Sequence, residues 1–136
     1  MGVQYKTETT MFHSIEDNLD KLKLKYPVNS EGYFGNPGHG RSHTRNIESK
    51  NPLETAKDFF NNIAEGGKKE ILYDRKTGKE KGIVVQMRDG TFISFREIST
   101  SDGSPVVEIN IDSSNSERAK KEIQTQKIHF IKGNTQ

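Results

Sequence analysis

Apolar residues recur twice at helical spacing in the first half of the chain, then alternate at a period of two almost to its end. Ile15, Leu19 and Leu22 stand four and three apart, the spacing of one helix face. Ser14 precedes them as a cap, with Asp17 three residues on. Pro27 closes this short helix, because proline breaks the hydrogen-bond ladder and disfavours helix at Tyr26. Residues 1–11 read as a frayed start. Residues 28–50 read as loop, since Asn29-Ser30-Glu31-Gly32 and Gly35-Asn36-Pro37-Gly38-His39-Gly40 are turn formers without a period. A loop of that length points to a linker or to a function.

The stronger helix opens at Asn51, a good cap, with Pro52 suited to the first helical position. Leu53, Ala56, Phe60 and Ile63 share one face, Phe59 widens it, and Gly66-Gly67 ends it. From there strands are expected over 70–73, 82–88, 91–98, 106–111 and 125–131. Thr77-Gly78 reads as a turn, and Asp89-Gly90 as a tight two-residue hairpin. Polar loops fill 99–105 and 112–124. Helices followed by a run of strands give an α+β class, with N-terminal helices on one face of a twisted antiparallel sheet of four to five strands.

Composition sharpens this picture in three ways. Thirty of the 136 residues are Leu, Ile, Val or Phe, just above the roughly 20% level below which highly charged chains stay disordered. Twenty-one of them lie between 51 and 131, so the core is expected there. The chain has no Cys, which excludes disulfides, thiolate nucleophiles and cysteine zinc sites. No apolar run approaches a membrane span, and no secretory signal is visible. A net charge of +2 neither demands nor excludes nucleic acid.

Alternation assigns the side chains to faces. Ile128 and Phe130, Ile93 and Phe95, and Val107, Ile109 and Ile111 go inward. Lys127, His129, Ser94, Arg96, Glu108 and Asn110 then share the outer face. That set suits RNA cleavage. A histidine moves protons near neutral pH. Lysine and arginine stabilise charge on phosphate oxygens. The RNA 2′-hydroxyl is an internal nucleophile, so neither metal nor cofactor is required. A polar outer face is also what any half-buried sheet shows, and a lone histidine there is more often an ordinary surface residue. His39 and His43 are four apart, but four apart is metal-ligand spacing only on a helix, and glycine and proline surround His39. The nearby Arg41 and Arg45 are expected to touch phosphates or to be solvated. Lys68 sits beside the helix end, where it suits the negative pole and also lies within reach of the active face.

Three segments resemble a known group. They are Asn51-Pro-Leu-Glu-Thr-Ala-Lys-Asp-Phe-Phe60 with Gly66-Gly67, Ser101-Asp-Gly-Ser-Pro-Val-Val-Glu-Ile-Asn-Ile111, and Gln126-Lys-Ile-His-Phe130. In this order and spacing, over roughly residues 30–131, they resemble the C-terminal toxin domains of bacterial polymorphic toxins, of the contact-dependent inhibition and LXG types. The last two motifs are the specific ones. The resemblance implies a ribonuclease of the barnase/EndoU/colicin/RelE-like class, with attack by the 2′-hydroxyl and a 2′,3′-cyclic phosphate product. It implies His129 as general acid or base. Arg96, Lys127, Ser94 and Thr100 are the supporting catalytic candidates, and Lys68, Arg88, Ser101 and Asn110 the substrate-binding ones. No metal ligand and no cofactor are expected. The implied substrate is RNA, with tRNA the common target of such toxins. The implied partner is a cognate immunity protein, bound 1:1 to an otherwise monomeric toxin. Delivery from a producing bacterium into a target-cell cytoplasm is implied too. Residues 1–50 are then an entry or linker region, with one short helix and loop, and 51–136 the toxin domain of an excised module. Two other readings stand beside it: a metal-dependent DNase toxin and a non-catalytic RNA-binding module.

Overall fold

The computed structural model describes residues 14–99, 102–115 and 117–133. Helices form where the 3.6-residue spacing predicts them: α1 (Ile15–Lys25) and α2 (Pro52–Ile63). Neither Ser14 nor Asn51 caps its helix through the side chain. Ser49 instead accepts the Asn51 N–H at 3.0 Å. The strands are β1 (Asn36–Pro37), β2 (Thr44–Ser49), β3 (Lys68–Tyr73), β4 (Glu80–Gln86), β5 (Phe92–Arg96), β6 (Val106–Asn110) and β7 (Thr125–Lys132). They form one sheet in the order β1-β2-β7-β6-β5-β4-β3. All neighbours run antiparallel except β2 and β7, which are parallel. The α+β class therefore holds. The sheet is mixed and seven-stranded, where four to five antiparallel strands were expected.

The two extra strands come from the segment read as loop. Only Ile47 marks β2 as a strand, because Arg45 occupies the core-facing position where an apolar residue would signal it. Arg45 is 5% exposed. Its guanidinium donates to the carbonyls of Phe34, Gly35 and Ser42 and lies 4.7 Å from the centre of the Tyr33 ring. Satisfied donors and a stacked ring make that burial tolerable. Arg45 is thus neither solvated nor placed for phosphate.

The boundary expected at residue 50 does not divide the core. Ile15, Leu19, Leu22 and Phe34 belong to one buried cluster with Phe59, Phe60, Ile93, Phe95, Ile109, Ile128 and Phe130. Polar ties cross the same line. Asn18 on α1 donates to the carbonyls of Ile63 and Glu65 at 2.8 and 2.9 Å, satisfying groups that a helix end leaves orphaned. Asp58 on α2 accepts from Tyr26 at 2.6 Å and pairs with Lys25. Lys23 pairs with Glu122 at 2.9 Å, and Arg118 with Asp20.

The β4–β5 connection also differs from expectation. Met87 donates to the Thr91 carbonyl at 2.7 Å and Gly90 to that of Met87 at 3.0 Å. Only Gly90 has positive φ, at 94°. The loop is therefore three residues, Arg88-Asp89-Gly90, and not a two-residue turn, which would need Asp89 at positive φ as well.

Candidate active site

β7 lies between β2 and β6, so its outward side chains have neighbours on both sides. Directly paired residues share a face. His129 is opposite Asn46 on β2 and Val106 on β6, and Val106 is opposite Arg96 on β5. Lys127 is opposite Thr44 and Glu108, and Glu108 is opposite Ser94. Asn110 is opposite Thr125 and Phe92. Lys127, His129, Ser94, Arg96, Glu108 and Asn110 thus stand on one face, as alternation predicts.

Distance across the sheet separates them. Ser94 and Arg96 are two strands from β7, roughly 10 Å at normal strand spacing. Lys68 shares the face, but β3 lies four strands from β7, roughly 19 Å away. Arg88 is exposed on the β4–β5 hairpin. Thr100 and Ser101 lie outside the described residues.

The loop before β6 builds the site around His129. Asp102 Oδ1 accepts the Ser99 hydroxyl at 2.8 Å, and from Ser104 both the N–H at 3.0 Å and the hydroxyl at 2.6 Å. Ser104 Oγ also lies 2.9 Å from His129 Nδ1, and Asp102 Oδ1 lies 3.4 Å from that nitrogen. His129 is consequently only 5% exposed, although its face of the sheet is the one away from the helices. The solvent-facing histidine expected from alternation is a loop-covered one.

These contacts define a tautomer. A carboxylate only accepts, so the single Ser104 hydroxyl proton goes to Asp102. Towards His129 the same hydroxyl can then only accept. Nδ1 carries the ring proton, and Nε2 keeps its lone pair. The arrangement is the reverse of a serine nucleophile and its base: the imidazole donates to this serine and cannot deprotonate it. Ser104 orients the ring instead.

The electrostatics agree. The Ser104 hydroxyl, followed by the Ser104 and Ser99 donors, holds the Asp102 carboxyl far below the usual carboxylate range. Burial pushes the His129 imidazole below its ordinary value, and Lys127 and Arg96 add to that, while Asp102 pulls the other way. His129 is neutral at pH 7. Asp102→Asn removes the one charge that favours the imidazolium and leaves those that oppose it. The His129 titration should therefore move to still lower pH. Proton NMR of the ring hydrogens reads this directly, and an unmoved midpoint would mean that Asp102 is not coupled to the ring.

A cleft of about 320 Å³ opens here, lined by His39, Thr44, Asn46, Asp102, Lys127 and His129. Four of these six, His39, Thr44, Asn46 and Asp102, were not foreseen as members of this site. Thr44 and Asn46 come from β2, and His39 from the loop joining β1 to β2. A larger hollow of about 490 Å³ near the β4–β5 ends gathers Glu80, Lys81, Glu97 and Ile98, and its lining holds no imidazole. Among the described residues, no three His, Asp or Glu side chains are placed to hold a metal ion, and no helix is long and apolar enough to cross a membrane. Comparison with protein families, curated proteins and solved structures found no match to this chain.

Proposed function

We propose that this chain is a metal-independent endoribonuclease with His129 as its proton-transfer group. The observation that carries the reading is the Asp102–Ser104–His129 hydrogen-bond chain. It leaves a neutral imidazole whose Nε2 keeps its lone pair, in a ring that lines the same cleft as Lys127 and His39. In the proposed reaction Nε2 takes the proton of an RNA 2′-hydroxyl. The 2′-oxygen bonds to the adjacent phosphorus, and the bond from phosphorus to the 5′-oxygen breaks. His39 supplies the proton to that leaving oxygen. The Lys127 ammonium offsets the charge that builds on the phosphate oxygens in between. The products are a 2′,3′-cyclic phosphate and a 5′-hydroxyl end.

The two motifs most specific to the toxin resemblance supply the core of this cleft. Ser101-Asp-Gly-Ser-Pro contains Asp102 and Ser104, and Gln126-Lys-Ile-His-Phe contains Lys127 and His129. Their convergence supports an antibacterial toxin acting on RNA, with tRNA as the target class, in the cytoplasm of a recipient cell. A cognate immunity protein covering the cleft is the partner that goes with it.

Incubation of the purified chain with total RNA, with and without EDTA, tests the proposal once the cut ends are mapped. Cyclic-phosphate ends formed in EDTA are the expected result. Chelator-sensitive cutting of plasmid DNA would replace the reading with a DNase. Saturable RNA binding with no cut ends would replace it with a binding module.

A further inference from the structure

We infer that the outer face of the sheet carries a base-stacking subsite for single-stranded RNA, centred on Phe92. The inference rests on the ribonuclease reading for its choice of nucleic acid. Phe92 is the odd residue of β5. Ile93 and Phe95 are buried towards the helices, whereas Phe92 points the other way and is 45% exposed. It stands outside the buried core cluster and leaves nearly half of its surface to solvent on the same side as His129.

Its neighbours are suited to a nucleobase. Asn110 is directly opposite it on β6, and Gln86 directly opposite on β4. Lys68 is opposite Gln86 on β3. All three are exposed. The row thus presents an aromatic platform between two primary amides, with an ammonium beyond. Amides donate to and accept from base edges, the ring stacks on the base plane, and the lysine meets a phosphate. Arg88 is exposed on the hairpin just past this row, a second cation for the backbone. Two carboxylates share the next row of this face: Glu108, with Lys127 directly across from it, and Glu70, two residues along β3 from Lys68.

The subsite lies four residues along and two strands across from His129, roughly 17 Å at normal strand dimensions. One nucleotide cannot span that distance. The base on Phe92 therefore belongs to a flanking nucleotide, not to the one being cut. A duplex cannot use the platform, because its base faces are stacked on each other. The cleft and the platform together select an unpaired stretch, as in a loop.

The test is binding of a fluorescent single-stranded RNA octamer, and of the same sequence as a blunt duplex, in a His129→Gln background that slows turnover. Phe92→Ala should weaken single-strand binding roughly 5- to 150-fold, the range for one lost stacking contact. Phe92→Leu keeps the apolar bulk without the ring and should weaken it similarly, while Phe92→Tyr should retain it. The duplex should bind weakly in every case. Unchanged single-strand binding by Phe92→Ala, or equal weakening by Phe92→Tyr, would overturn the subsite. The ribonuclease reading fails separately, if the parent chain leaves RNA uncut.

Discussion

Replacing His129 by Gln should lower kcat/KM for RNA by about 10²–10⁴-fold, the usual contribution of a general acid or base. Gln is a better probe than Ala because the site is closed. His129 is 5% exposed, and its Nδ1 faces the Ser104 hydroxyl. Alanine would open a void and leave that hydroxyl short of a donor. Glutamine fills most of the space and still offers an N–H, so loss of rate reports proton transfer and not collapse. The pH profile adds an independent check. Burial lowers the imidazole's affinity for a proton, so the base form persists to below pH 6.5, the ordinary histidine value. Activity of the parent should fall on acidification with a midpoint under that value, and the glutamine variant should lose that limb. The linkage has a fixed sign. Below about pH 6.5 the unfolded chain takes up a proton at this position before the folded one does, so this group's contribution to stability falls with acidification. Parental rates in the glutamine variant would remove His129 from the mechanism.

Phe59→Ala should destabilise the fold by about 3–5 kcal/mol, the range for truncating a buried phenylalanine. That is a large share of the roughly 5–15 kcal/mol that holds a domain together. Phe59 is fully buried, and its ring meets three others edge-on: Tyr26 at 5.2 Å, Phe34 at 5.1 Å and Phe130 at 5.4 Å. Those four residues come from the end of α1, the segment before β1, α2 and β7. Urea unfolding of the parent should therefore be one transition by tyrosine fluorescence and by circular dichroism alike. In the variant both signals should move together to lower urea. Two separated transitions in the parent would show that residues before 50 fold apart from the rest.

Much of the core was readable residue by residue. Phe59, Phe60 and Ile63 repeat at helical spacing, and Ile128 and Phe130 alternate, because one period places a side chain on a face whatever the rest of the chain does. β2 was unreadable for a specific reason: Arg45 stands inward among carbonyls that exist only once Phe34 and Gly35 are packed beside it. The site divides in the same way. Alternation alone put Lys127 and His129 on one face. Asp102 looked like an ordinary turn former, and His39 like a histidine in a glycine-rich loop.

Local periodicity is thus a property of the sequence alone. It determined both helices, five of the strands, the inward residues and the shared face of Lys127, His129, Ser94 and Arg96. Only the tertiary structure decided that β7 sits between β2 and β6. From that follow a buried His129, its proton on Nδ1, and a cleft that draws on three separate segments. The reason is physical. Which face a side chain takes depends on its own backbone, whereas burial, tautomer and pKa depend on atoms brought near it by long-range pairing, and no spacing along one segment encodes those.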